Sequence, residues 1–169
     1  MKNRILSALL LLALLLPVLF AVSCGQSTGT TYRDDYALAD LAAKVADKSF
    51  EDGVTLTAVD ADYLRGMMKM EVGEKDEYVV KIQTSGANVN EYGIFHAPDA
   101  ARTAEIETMV KAYLALRVES WMPEYMPEEK PKVDHATCKV FGNYVVYGIL
   151  TDADREALFS AVENALKAN

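Results

Sequence analysis

Phe141-Gly142-Asn143-Tyr144 is the stretch that most restricts how this chain can fold. Gly-Asn at the centre of a two-residue turn accepts the positive φ that a tight hairpin needs. The turn pairs Phe141 with Tyr144, and the register follows from it: Val140 with Val145, Cys138 with Tyr147, Ala136 with Ile149. Side chains alternate along a strand. Cys138, Val140, Val145 and Ile149 therefore share one face, the predicted core side.

A second hairpin precedes it. Tyr78, Val80 and Ile82 alternate with Val79, Lys81 and Gln83. A polar, Gly-containing loop spans 85–90, and residues 91–96 form the return strand, with Tyr92 and Ile94 on one face and Phe95 on the other. Helical spacing surrounds these strands. Leu38, Leu41, Ala42 and Val45 mark a first helix, with Asp34 or Asp35 available to cap it. Residues 50–53 read as a turn, and 54–59 fits either a short strand or an extended lead-in. Asp60 caps a short helix through Tyr63, Leu64 and Met67, weakened by Gly66.

Pro98-Asp99 starts the longest helix, predicted over 99–122, with Ile106, Met109, Val110, Tyr113 and Leu116 as its buried stripe. Pro123, Pro127 and Pro131 break the next segment into a loop. Thr151 and Asp152 cap the last helix, with Asp154 as capping-box partner and Leu158, Ala161, Val162, Ala165 and Leu166 facing inward. Hairpins and helices alternate as blocks. The expected class is α+β: a mostly antiparallel sheet built from two hairpins, packed on one face against about three helices, in two layers.

The N-terminus reads as an address. Lys2 and Arg4 precede an uncharged, Leu-rich run over residues 5–22, and Ala21-Val22-Ser23-Cys24 closes it. This order is that of a lipoprotein signal: a leader over 1–23 cut before Cys24, whose thiol carries a diacylglycerol. Ala21 stands where such motifs most often have Leu. An uncleaved anchor and ordinary cleavage are the two rival readings, and each also places the rest of the chain outside the cytoplasm. Two acyl chains hold a protein on a membrane where one holds only weakly. Residues 24–31 form the lipidated cysteine and a Gly/Ser/Thr-rich tether, and 32–169 the globular domain.

The net charge is −8, and −10 without the leader, which holds Lys2 and Arg4 and no acid. That argues against nucleic acid, whose binding rests on neutralising phosphates. With Cys24 lipidated, Cys138 has no disulfide partner and the fold must stand on its core.

The order of motifs adds a resemblance. The Cys24 motif, Glu91-Tyr-Gly-Ile-Phe, Pro123-Glu-Tyr-Met-Pro-Glu-Glu and Gly142-Asn-Tyr-Val-Val-Tyr before a terminal helix occur in that order along the chain. The chain resembles small lipoproteins of Gram-positive, largely clostridial bacteria that carry a domain of unknown function. The resemblance implies a cell-envelope lipoprotein and brings no activity, ligand or catalytic residue with it.

Candidate chemistry is sparse. Cys138 lies inward on its strand and His135 three positions away points to the other face, so they form no local nucleophile pair. His96 and His135 have no second ligand at metal spacing. The acids Glu71, Glu74, Asp76 and Glu77, and the pair Glu128-Glu129, lack a calcium-loop pattern and read as solvated loops. No phosphate loop, GxSxG or SxxK is present. No catalytic residue, metal ligand or cofactor is assigned. The surface candidates are Trp121 and Tyr125, with Met122 and Met126, for which packing under the sheet is preferred to a binding patch. The expected function is a lipid-anchored, non-catalytic binding or accessory module for an envelope protein or ligand. The alternative is a small envelope hydrolase using scattered acidic residues.

Overall fold

The computed structural model describes residues 30–46, 55–84, 88–122 and 124–167. The leader, Cys24 and the expected turn over 50–53 lie outside them. Strands β1 (Leu56–Ala58), β2 (Glu77–Gln83), β3 (Glu91–His96), β4 (Thr137–Phe141) and β5 (Tyr144–Ile149) form one antiparallel sheet in the order β1-β2-β3-β5-β4. The Gly142-Asn143 turn sets β4 against β5 as its chemistry requires, from Phe141↔Tyr144 to Cys138↔Tyr147, with Gly142 at φ 60°. β4 begins at Thr137, so the ladder stops short of the Ala136–Ile149 pair. Both hairpins form, and β3 pairs with β5 to join them.

Among the described residues, five helices accompany the sheet: α1 (Leu38–Ala46), α2 (Ala61–Tyr63), α3 (Ala100–Glu119), α4 (Lys130–Asp134) and α5 (Asp152–Leu166). The class is α+β. The layering differs from expectation, because helices cover both faces. Val80, Phe95, Val145, Tyr147 and Ile149 pack with Ile106, Val110, Tyr113 and Leu114 of α3. The alternate positions Tyr92, Ile94, Tyr144 and Val146 pack with Leu38, Leu41 and Val45 of α1 and Leu158, Phe159, Val162 and Leu166 of α5. Apart from Glu91 and His96 on β3, β3 and β5 bury apolar residues and glycine on both faces, the pattern of central strands covered by a helix layer on each side.

Several helix boundaries are set by caps. Asp60 Oδ1 accepts from the Tyr63 N–H at 3.0 Å, and Asp99 Oδ1 from the Arg102 N–H at 2.8 Å. Thr151 Oγ1 accepts from the Asp154 N–H at 3.2 Å and donates to Asp154 Oδ2 at 2.6 Å. The expected cap of α1 is not made. Asp34 instead bonds His96 and Asn143, and Asp35 pairs with Arg33. α3 ends at Glu119, short of 122. The proline segment contains α4, where Pro131 sits in the first turn and loses no hydrogen bond.

The chain leading into α1 is strapped to one end of the sheet. The Arg33 N–H donates to the Leu166 carbonyl at 2.7 Å, and Tyr32 packs edge-on against Phe141. Tyr144 Oη donates to the Tyr36 carbonyl at 2.8 Å. His96 stacks on Tyr144 with ring centroids 4.3 Å apart, between Asp34 (3.1 Å) and Glu77 (3.2 Å).

Candidate functional site

The far end of β3 holds the least expected feature. Glu91 opens this strand and faces the α3 side, where its carboxylate is 2 % exposed. Tyr147 Oη donates to Oε1 at 2.6 Å. Tyr113 Oη lies 2.8 Å and 2.9 Å from the two oxygens, and Arg117 Nη1 donates to Oε2 at 2.9 Å. Arg117 Nη1 also donates to Tyr113 Oη at 2.7 Å. A buried charge persists only when paired and hydrogen-bonded, and this one is both. Burial, with the Glu91 charge adding to it, pushes the Tyr113 and Tyr147 phenols well above their ordinary value.

Gly93 makes this arrangement possible. It pairs with Tyr147 across the β3–β5 ladder, and a Cβ on it would lie 2.2 Å from Tyr147 Cε1. The tyrosine ring therefore lies over bare backbone, and its hydroxyl reaches Glu91. A glycine inside a strand marks such a close approach.

The same network builds a surface. Residues 113–120 of α3 meet a turn that comes after α2. There the chain runs through a π-turn, Leu64–Met68, and ends on Lys69 in the left-handed region at φ 56°. Single π-turns and left-handed non-glycine residues concentrate at functional sites. Between these elements lies an open groove of about 470 Å³, lined by Tyr63, Gly66, Met67, Lys69, Tyr113 and Leu116, with Arg117 and Ser120. Met67 is 61 % exposed and Leu116 38 %, although Leu116 belongs to the expected buried stripe. Lys69 Nζ is held by the Gly66 carbonyl at 2.7 Å. No lining residue is acidic.

Both oxygens of the Glu91 carboxylate are hydrogen-bonded and the side chain is almost wholly shielded from solvent. These bonds tie the Arg117 guanidinium and the Tyr113 hydroxyl, on the inner wall of the groove, to β3. α3 brings these two together because Tyr113 and Arg117 are four residues apart and so share a helix face.

The sequence candidates fall around this site, not within it. Trp121 is half-buried and packs against the α3-side core, while Met122 and Tyr125 are 62 % and 56 % exposed. Trp121 and Tyr125 are thus separated, one as packing and one as surface. Cys138 is on the expected face but half-buried on an edge strand, with Val140 exposed beside it. Burial pushes the Cys138 thiol up, so it is not poised as a thiolate. His135 bonds Asp152 at 3.2 Å. Cys24 lies outside the described residues. Among those described, no group of three or more His, Cys, Asp or Glu is placed to hold a metal.

Two acids read as solvated are buried. The Asp76 side chain is 2 % exposed and takes Arg102 Nη2 at 2.7 Å, Arg102 Nε at 3.0 Å and the Gly73 N–H at 2.7 Å. Burial raises its pKa, but these donors outweigh burial and the net shift is downward. Glu129 accepts from the Val89 N–H at 3.0 Å and pairs with Lys132, which also donates to Asn90. It clamps the segment before α4 onto the lead-in to β3. Both acids pair with partners distant in sequence or on neighbouring turns, which loop composition does not reveal. For Glu91 and Gly93 there was a local signal: an acid opening an apolar strand and a glycine inside it.

A family described as a domain of unknown function (DUF4358) matches residues 48–150, more than half of the chain. The match takes in all five strands, α3 and every groove residue, and leaves out α1 and α5. No curated protein and no solved structure matches the chain.

Proposed function

The chain belongs to the DUF4358 family, and we propose that it is a lipid-anchored, extracytoplasmic binding module whose binding side is the groove beside α3. The anchor rests on the order of basic start, apolar run, small residue and Cys24. The binding side rests on one observation above all: exposed Met67 and Leu116 border a groove whose inner wall is held by a buried carboxylate hydrogen-bonded through both oxygens. A fixed wall lowers the ordering entropy that binding must overcome.

The two ends of the domain give the proposal a direction. The segment from the tether is strapped near Asn143 and Thr103, at the start of α3. The groove lies near Leu116, about 20 Å further along that helix at 1.5 Å per residue. The module then faces its partner with the end remote from its own membrane.

The hydrolase alternative has less to stand on. Glu91 is held by Tyr113, Tyr147 and Arg117, Asp76 by Arg102, and Glu129 by Lys132 and Val89. The test places a photoreactive residue in the full chain in cells, at Met67 or at exposed Ser160 on α5. A discrete adduct from Met67 and not from Ser160 is expected. Adducts from neither site, with turnover of wall fragments by the purified chain, would replace this reading with the hydrolase. Acyl labelling of the native chain and of Cys24→Ala tests the anchor separately. Equal labelling contradicts it.

A further inference from the structure

We infer that the groove takes a small amphiphilic anion, an apolar chain or ring ending in one carboxylate, seated with its apolar part on Met67, Leu116 and Tyr63 and its charge on Lys69. The inference deepens the proposed binding side and rests on it.

Four observations carry it. The groove has the volume of a small-molecule site, about 470 Å³, within the range of about 300–1,000 Å³ for such sites. Its walls are mainly apolar with a few polar groups, which is how ligand sites combine affinity and orientation. Its charged lining residues are both cations, Lys69 and Arg117, in a chain whose net charge is −8. Glu91 already balances Arg117, so the uncompensated charge of the groove is that of Lys69.

Local backbone geometry sets the position of Lys69. The π-turn delivers it, a left-handed backbone turns it, and the Gly66 carbonyl holds its ammonium. Gly66, on the same turn, keeps this wall low: a Cβ there would meet nothing within 4 Å, so the glycine leaves open space that packing does not demand. An ammonium held by one carbonyl keeps two further donors for an anion.

The test is calorimetric titration of the full-length chain with 4-phenylbutyrate and its neutral and cationic counterparts, 4-phenylbutanol and 4-phenylbutylamine. These probes share one apolar body and differ in the charge of the head. The carboxylate is expected to bind about threefold to fivefold more tightly than the alcohol, as for a partly exposed ion pair, and the amine most weakly. Lys69→Asn, which tolerates the left-handed backbone, removes the preference, and Lys69→Arg keeps it. Gly66→Leu fills the open space and weakens all three probes. Equal binding of carboxylate and alcohol, or a preference that survives Lys69→Asn, overturns the inference. So does an absence of binding by all three at millimolar concentration. The photoadduct from Met67 is read independently, so these failures leave the binding-side proposal standing or falling on its own result.

Discussion

The two sides of the sheet are built from the same strands and by different rules. On the α1–α5 side, Leu41, Val45, Phe159, Val162 and Leu166 close over Ile94 and Val146. Its polar groups bond backbone carbonyls, Tyr144 Oη donating to Tyr36 and Arg155 Nη1 to Leu150. The α3 side carries a buried acid, two hydroxyls and a guanidinium at the Glu91 end of β3, where it opens into a groove. Satisfied polar networks rigidify and specify a site, but give less net stability than apolar packing of equal volume. The first side is a scaffold, and the second gives up part of that advantage to hold a shape.

Removing material from the scaffold should have the largest effect. Phe159→Ala empties a fully buried ring position and is expected to lower unfolding free energy by about 3–5 kcal/mol, measured by denaturant titration. Glu91→Gln should come next, at about 2–3 kcal/mol. It breaks a buried pair, but Arg117 reaches solvent with a quarter of its side chain exposed and keeps part of its hydration. A Glu91→Gln effect below about 0.5 kcal/mol would mean that the network is not holding the α3 side.

Gly93→Ala tests the same network without touching charge. The added methyl must displace the Tyr147 ring, for an expected loss of about 1–3 kcal/mol. Adding Tyr147→Phe to Gly93→Ala should then cost less than it does in the native chain, because the hydroxyl has already left Glu91. Full additivity would show that ring and carboxylate are not coupled.

Asp76→Asn is expected to cost about 1–2 kcal/mol and to change the acid limb of stability. The Asp76 pKa is lowered in the fold. Its contribution is therefore present above the unfolded carboxylate value near about 3.9 and is lost as pH falls through the folded value. The variant should lose stability less steeply than the native chain below about pH 4. Identical acid slopes would contradict the downward shift. Met67→Asp should move stability by no more than about 0.5 kcal/mol while reducing binding of the phenylbutyrate probe. A large loss of stability would make Met67 part of the core.

Much of the fold was legible because its signals are local. Gly142-Asn143 fixed one hairpin, Asp60, Asp99 and Thr151 capped three helices, and the alternation along β2 and β3 named their faces. The second helix layer was not, although Tyr92, Ile94 and Phe95 are apolar on both sides of β3. Reading that as two buried faces required knowing that β3 is central, which depends on the long-range pairing with β5. The site was harder still. Its parts come from α2, β3, α3 and β5, and Tyr113 and Tyr147 lie 22 and 56 residues beyond Glu91. Trp121 and Tyr125 drew attention through residue type, while the groove lies one turn earlier on α3 and is made by Met67 and Lys69 across from it.

Amide hydrogen exchange of the full-length chain, native against Glu91→Gln, tests most directly whether this acid holds the binding side in place. Protection is expected to fall most in residues 111–120 and 61–70, while 38–46 and 152–166 lose no more than the global loss of stability requires. An even loss on both sides of the sheet, or unchanged protection around the groove, would contradict that role for Glu91.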